Sequence, residues 1–264
     1  MAILAACGAQ GLRRWDGAWR RMACPLQQAT LITPRGGAAD VPSRLMWDGR
    51  RTLPLPPGTE VILRHGGLWL ALSGEADSLW VMDAGGQLLV CAPCGVYPQD
   101  MCLAGDALAV CGGADSRVHL LSLPEARMLH VIVVPGNVQR IAAWGNRLCV
   151  LSVLGEERIR CQAGVIALPA GGYEPLLTLP GLPGAVCADG AGGWWIAASE
   201  QLIRVDRQGR LLRRIGGLGL IRSLQAQGER LVAADPVLGA LILAEGRGTE
   251  VIPAGEICMA AMMP

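Results

Sequence analysis

Short apolar runs recur along this chain, separated by glycine, proline or charged residues. Seven of them end in an acidic or small residue, and their start-to-start spacings are 32, 35, 39, 47, 37 and 39 residues. They are GLRRWD from Gly11, SRLMWD from Ser43, SLWVMD from Ser78, RVHLLS from Arg117, GVIALP from Gly164, QLIRVD from Gln201 and ALILAE from Ala240. This period is typical of four-stranded blades arranged around an axis. The pattern therefore predicts an all-β, seven-bladed β-propeller that occupies residues 1–264 as one domain.

A second, almost continuously apolar run precedes most of these copies, for example LWLALS from Leu68 and RLVAAD from Arg230. Runs of this kind are typical of strands that are covered on both faces, so we assign them to the second strand of each blade. A shorter apolar segment comes before each of them, such as VILR from Val61 and IAAW from Ile141. We expect these shorter segments to form the innermost strands around the axis.

The two ends of the chain complement each other. No inner strand precedes Ala2, whereas EICMAAMM, which begins at Glu256, follows the seventh outer strand. Pairing of this C-terminal strand with the first blade would close the ring and remove both exposed sheet edges. The second blade is the weakest, because 24–44 offers one clear strand, ATLIT from Ala29, and then a loop rich in glycine, alanine and proline. Six complete blades and one degenerate blade are therefore allowed.

Charge and composition narrow the choice of partners. The net charge is +1, all 23 basic residues are arginine, and no basic run occurs, which argues against nucleic acid as a partner. No run of eighteen apolar residues occurs, so we expect no membrane span. Ten cysteines in a chain large enough to build a core indicate reduced thiols and a cytoplasmic protein.

The starts of the inner strands carry the polar residues best placed to form a site. Because inner strands run side by side around the axis, equivalent residues converge at one mouth of the channel, where a small molecule could bind. Alignment gives Glu60, Gln99, Gln139, Arg222 and Glu256 at one level, with Asp100 and Arg140 next along. The alternative is that these positions are polar only because they are wet, and that their opposite charges pair structurally.

Other chemistry has little support in the sequence. The one CxxC motif, from Cys91 to Cys94, ends a strand and does not begin a helix, and it lacks two further zinc ligands nearby. The histidines, His65, His119 and His130, are too few and too scattered for a three-histidine metal site, and we expect His119 and His130 to be structural or solvent-facing. No GxSxG elbow occurs. We therefore expect no metal and no cofactor.

Several of these runs resemble known propeller repeats. Trp15-Asp16 and Trp47-Asp48 resemble the ending of WD repeats, and the VMD and RVD endings before turns are similar to bacterial YVTN-type repeats. The segment QLIRVDRQGRLLRRIGGLG from Gln201 resembles an NHL repeat. The histidines do not match the Gly-His pair of true WD repeats. The resemblance implies a bacterial propeller with a ligand or partner site at one face.

Two functions follow as expectations. The first is a non-enzymatic binding or scaffold module that presents a face or rim to a protein partner. An under-built second blade and an apolar patch at Trp15, Trp19 and Trp47 would favour it. The second is a lactonase-like hydrolase or a lyase, in which residues at the channel mouth supply acid, base and oxyanion support. Those residues are Glu60, Asp100, Arg140, Arg222 and Glu256.

Overall fold

The computed structural model describes residues 2–33, 37–155, 158–169 and 171–263, and these form strands and turns without a helix. The first three blades contribute β1 (Ile3–Ala6), β2 (Leu12–Trp15), β3 (Trp19–Arg21); β4 (Leu31–Ile32), β5 (Ala38–Asp40), β6 (Leu45–Trp47), β7 (Thr52–Pro54); β8 (Thr59–His65), β9 (Leu68–Ser73), β10 (Ser78–Met82) and β11 (Leu88–Pro93). Blades four and five contain β12 (Pro98–Ala104), β13 (Ala107–Gly112), β14 (Arg117–Ser122), β15 (Met128–Val133); β16 (Asn137–Trp144), β17 (Arg147–Leu154), β18 (Arg160–Ala167) and β19 (Tyr173–Pro180). Blades six and seven contain β20 (Pro183–Ala188), β21 (Trp194–Ala198), β22 (Gln201–Val205), β23 (Leu211–Gly216); β24 (Ser223–Gln227), β25 (Arg230–Asp235), β26 (Ala240–Glu245) and β27 (Gly248–Pro253). The last strand, β28 (Met259–Met262), completes blade one.

These strands form seven antiparallel four-stranded sheets, so the predicted seven-bladed propeller is confirmed. The predicted closure is confirmed too, because β28 pairs with β1, from Ile3 opposite Met262 to Ala6 opposite Met259. The inner strands β28, β4, β8, β12, β16, β20 and β24 contact one another in that order around the ring. The assignment of residues 1–264 to one domain stays a prediction.

The core consists of seven apolar clusters, each between two neighbouring blades. The second strands lie at the centre of these clusters, as their apolar pattern predicts, and Trp69 and Trp194 are fully buried there. Each large apolar side chain buried in this way stabilises the fold by about 1.5–3 kcal/mol. The blades therefore adhere through side chains, while hydrogen-bonded ladders hold each blade together.

Blade two is short but complete, with strands of 2, 3, 3 and 3 residues. Its second strand, β5, lies where the sequence predicts a loop. The buried Asp40 side chain accepts hydrogen bonds from the backbone N–H groups of Gln28 at 3.1 Å and Ser43 at 3.1 Å. These side-chain bonds organise the chain where long ladders are missing. A three-residue strand held in this way is too short for a recognisable hydrophobic pattern.

The apolar patch expected at Trp15, Trp19 and Trp47 is not present. Trp47 is only 9% exposed and packs between blades one and two. Trp15 and Trp19 are half-buried against the cluster between blades seven and one, with their ring centroids 5.3 Å apart. Blade seven thus covers part of the Trp15 and Trp19 rings, and blades one and two enclose Trp47. The described residues contain no helix whose length and apolar character would allow it to span a membrane.

Candidate functional site

Four inner strands have a β-bulge near their start, and the other three show a related backbone hydrogen bond there. In blades three to six the pairing register shifts there, between Thr59 and Val61, Pro98 and Asp100, Val138 and Arg140, and Pro183 and Ala185. In the other three blades, the residue just before the inner strand donates its N–H to the carbonyl of the residue that pairs with the strand's first residue. In blade seven, for example, Ser223 pairs with Ala234, and the Arg222 N–H donates to the Ala234 carbonyl at 3.1 Å. The equivalent positions in the seven blades are held by Thr30, Glu60, Gln99, Gln139, Gly184, Arg222 and Cys258. Five of them, all except Gln139 and Gly184, lie in the wall of the channel mouth.

A cavity of about 580 Å³ lies at this mouth and is lined by residues from all seven inner strands. Five of the predicted site residues lie in its wall: Glu60, Gln99, Asp100, Arg140 and Arg222. The wall also contains residues that the sequence did not single out, among them Thr30, Tyr97, Ser223 and Cys258.

Two predicted residues lie outside this wall. Glu256 precedes β28 by three residues, and its carboxylate accepts a hydrogen bond from the backbone N–H of Ala9 at 3.3 Å. It lies two residues before Cys258, which holds the equivalent position in this blade and donates its N–H to the Ala6 carbonyl at 2.7 Å. Gln139 does occupy a bulge, but it contributes its carbonyl oxygen to the site through Arg140.

Arg140 is held by backbone carbonyls on either side. Its Nε donates to the Gly184 carbonyl at 2.8 Å, and its Nη1 donates to the Gln139 carbonyl at 2.6 Å. No carboxylate of the described residues lies within 4.0 Å of the guanidinium. The group is therefore fixed in position and keeps donors available for an anion.

Arg222 is the second guanidinium of the mouth. Its side chain makes no hydrogen bond or ion pair to any residue that the structure describes. Partial burial lowers the pKa of Arg222, and the nearby positive charge of Arg140 lowers it further. The two guanidinium groups form the cationic part of the mouth, to which an anion can bind.

Asp100, in the blade before that of Arg140, is a carboxylate of the same wall. Burial raises the pKa of Asp100 to about 6, although Arg140 and two backbone N–H groups favour its charged form. Those N–H groups belong to Met101, at 2.9 Å, and to Ile141 of the neighbouring blade, at 3.1 Å. The carboxylate thus links two blades and also titrates near neutral pH, as a general base requires.

Glu60, in blade three, is the second carboxylate in the wall of the mouth. Burial raises its pKa, Tyr97 and Arg140 lower it, and Glu75 raises it. Its Oε1 would lie 2.6 Å from a Cβ at Gly74, so the glycine leaves space for the carboxylate. Gly113 leaves the same space for Gln99, whose Cγ would lie 2.7 Å from such a Cβ.

These placements give the mouth two chemically different sides. Glu60, Gln99 and Asp100 come from blades three and four, whereas Arg140 and Arg222 come from blades five and seven. A ligand that spans the cavity would meet hydrogen-bond acceptors on one side and guanidinium groups on the other. This asymmetry suits a molecule with hydroxyl groups at one end and a negative charge at the other.

The remaining candidates lie elsewhere. His119 is only 6% exposed, and its Nε2 lies 2.9 Å from Asp115 Oδ2, so it is buried and structural. Of the CxxC pair, Cys91 is exposed and Cys94 is buried, and burial raises the pKa of Cys94 to about 12. A thiol with so high a pKa is a poor nucleophile at neutral pH. Within the described ranges, no three His, Cys, Asp or Glu side chains group to hold a metal ion. The expectation of no cofactor stays a prediction.

The fold has many similar solved structures. No protein-family model matches the sequence, and no curated protein does either. A candidate 6-phosphogluconolactonase from Bacteroides uniformis has a TM-score of 0.75 at 10% identity over 98% of both chains. Another from Bacteroides fragilis has a TM-score of 0.68 at 11% identity, covering 98% of this chain and 96% of its own. A structure of U3-55K has a TM-score of 0.71 at 16% identity, covering 98% and 90%. Identities this low show the propeller fold alone, and the likeness to YVTN and NHL repeats stays a resemblance.

Proposed function

We propose that the channel mouth binds a small hydroxylated organic anion and hydrolyses a lactone of that class. The observation that carries this proposal is the pair formed by Arg140 and Arg222, two guanidinium groups that share one cavity with a carboxylate of raised pKa. The names of two similar structures, both candidate 6-phosphogluconolactonases, agree with it at the level of fold.

The chemistry needs one base and one stabilised oxyanion. Water adds to the lactone carbonyl carbon and gives its proton to the Asp100 carboxylate. The arginines stabilise the resulting tetrahedral oxyanion. When the carbonyl re-forms, the ring C–O bond breaks and the leaving alkoxide takes the proton from Asp100. The product is the open hydroxy acid, which ionises to an anion suited to the same guanidinium pair.

Proton release from gluconolactone and 6-phosphogluconolactone, corrected for spontaneous hydrolysis, tests this function. We expect catalysis by the wild-type protein and a loss of roughly 100-fold in Arg222→Gln, as is typical when a stabilising donor is removed. Arg214→Gln is the matched control, because Arg214 is an exposed arginine on the outer strand β23. Absence of catalysis by the wild-type protein with both lactones would rule out the hydrolytic step.

A second candidate function is protein binding at the same face, as the under-built ring led us to expect. Exposed apolar side chains favour it, since Val237 is 70% exposed and Leu238 and Ile159 are about half exposed. They lie in turns that follow second strands, on the side where the inner strands begin. A partner identified by cross-linking should be lost in Leu238→Asp and kept in Leu211→Asp, which alters an exposed leucine of an outer strand. Equal capture by both variants would exclude this surface. The cytoplasmic location stays a prediction.

A further inference from the structure

Tyr97 has an unusual backbone conformation at the edge of the cavity. Its φ is 49°, in the left-handed region that favours glycine. Among the described residues, the other non-glycine residues with positive φ are Arg44, Asp77, Ser116, Ala126 and Ser199, so Tyr97 is the one aromatic residue in this set. A bulky side chain in this region is strained, and such strain is typical of functional positions.

The surrounding loop holds Tyr97 on both sides. Its N–H donates to Asp77 Oδ1 at 2.6 Å, and its carbonyl accepts from the Gly113 N–H at 2.9 Å. The preceding N–H, of Val96, donates to Asp115 Oδ2 at 3.3 Å. Asp115 is fixed in turn by the buried His119 ring at 2.9 Å. The fold thus stabilises a conformation that tyrosine would not adopt alone.

The side chain held in this way forms part of the cavity wall. Tyr97 remains 44% exposed, so the fold does not bury it as a core residue. It comes immediately before the inner strand that carries Gln99 and Asp100, and it lowers the pKa of Glu60, which burial raises. Tyr97 therefore belongs to the side of the mouth that accepts hydrogen bonds, away from the guanidinium pair.

We infer that Tyr97 is a specificity-determining residue of the channel mouth, which selects hydroxylated anions over anions without hydroxyl groups. This inference rests on the anion site proposed above. The tyrosine ring offers a flat apolar surface to the C–H face of a polyhydroxy ligand. Tyr97 lies in the same wall as Glu60 and Gln99, and its hydroxyl can exchange hydrogen bonds with ligand hydroxyl groups there. An anion that lacks hydroxyls would still pack on the ring but would gain no hydrogen bond from Tyr97.

Calorimetric titration with gluconate and hexanoate tests the inference, since both are six-carbon monocarboxylates and only gluconate carries hydroxyl groups on its chain. We expect the wild-type protein to prefer gluconate. Tyr97→Phe should lower the ratio of the two affinities about threefold, because it removes the hydroxyl and keeps the ring. The affinity for hexanoate should stay within twofold in this variant, roughly the error of such comparisons.

Ser116→Gly is the matched control for Tyr97→Gly, because Ser116 has a φ of 56° and does not line the cavity. Both glycine variants relieve strain, so their thermal midpoints should be equal to or above that of the wild-type protein. Only Tyr97→Gly should lose selectivity. Should Tyr97→Gly fail to fold by circular dichroism, Tyr97→Phe still decides the question.

The outcomes separate this inference from the proposed function. If the Tyr97 variants keep the wild-type ratio while Arg222→Gln weakens binding of both anions, Tyr97 has no role in selection and the anion site stands. If the wild-type protein binds neither anion, the anion site and the role of Tyr97 are both wrong. A wild-type protein that binds both anions equally would contradict the inference alone.

Discussion

The guanidinium of Arg140 donates to the carbonyl oxygen of Gly184, in the inner strand of the next blade, at 2.8 Å. Gly184 occupies the bulge of that strand, where five other blades place a polar side chain and the remaining one places Cys258. One blade therefore orients the cationic group that another blade contributes, and it does so without neutralising the charge.

Replacing this glycine should disturb both the fold and the site. A Cβ at Gly184 would lie 2.5 Å from the Ile221 carbonyl oxygen, so the backbone must shift in Gly184→Ala. We expect a loss of about 1–3 kcal/mol in the free energy of unfolding. We also expect weaker gluconate binding, because the carbonyl that holds Arg140 moves. Chemical denaturation and calorimetry measure the two effects, and unchanged values for both would show that the bulge tolerates a side chain.

Gly74→Ala should affect the acidic side of the mouth. The new Cβ would lie 2.6 Å from Glu60 Oε1, a flexible group, and 3.3 Å from the Pro98 carbonyl. We expect the Glu60 side chain to rotate away, with a several-fold loss in gluconate affinity and only a small change in stability. Gly216→Ala is the control, since a Cβ there would meet nothing within 4 Å. A crystal structure of Gly74→Ala with Glu60 in its original position would contradict this expectation.

The pH profile of hydrolysis should report Asp100. Because the pKa of Asp100 is about 6, the catalytic base is protonated below that pH, and the rate should fall there with a midpoint near 6. Asp100→Asn should remove this limb together with most of the activity. A profile that stays flat between pH 5 and pH 8, a window of about one to two units around that midpoint, would exclude Asp100 as the base.

The same shift predicts a pH dependence of stability. The folded-state pKa lies above the ordinary aspartate value of about 4, so the folded protein binds this proton more tightly than the unfolded chain. Asp100 alone therefore makes the free energy of unfolding decrease as the pH rises from about 4 to about 6. Subtracting the Asp100→Asn profile from that of the wild-type protein isolates this contribution. A difference that increases with pH over this range would contradict the raised pKa.

Side chains at the mouth should differ in their importance for folding. Arg222→Ala combined with Glu256→Ala should leave the folded state intact by circular dichroism, because Arg222 has no partner among the described residues and Glu256 accepts one exposed bond. Loss of folding in the double variant would instead make Arg222 structural.

Ser223→Ala should lower the free energy of unfolding by about 1–3 kcal/mol, since it leaves the buried Ala260 N–H, now bonded at 2.9 Å, without an acceptor.

Much of this architecture was predictable from the sequence, because each blade repeats the same burial requirement. Residues 69–72 and 231–234, within the runs from Leu68 and Arg230, are apolar and lie buried between neighbouring blades. The closing strand was predictable for the same reason, since an unpaired β1 would leave an open edge. The strand at Ala38 was missed because the Asp40 carboxylate, and not a long ladder, stabilises it.

The site was only partly predictable. Glu60 and Gln99 align because β8 and β12 share a length and a bulge at their second residue, and Arg222 directly precedes the first paired residue of β24. Glu256 instead lies two residues before Cys258, which holds the equivalent position beside β28. Tyr97 had no signal of its own, because a left-handed conformation in tyrosine comes from the loop around it and not from its own preference. The anchoring of Arg140 by backbone carbonyls likewise depends on the approach of two blades.

A crystal structure of the protein grown with saturating gluconate decides whether the channel mouth is the binding site. We expect the carboxylate to lie within hydrogen-bond distance, about 3.2 Å or less, of the guanidinium groups of both Arg140 and Arg222. The hydroxyl groups should face Glu60 and Gln99. An empty mouth at saturation, or gluconate bound at another place with both arginines uncontacted, would contradict the proposed function.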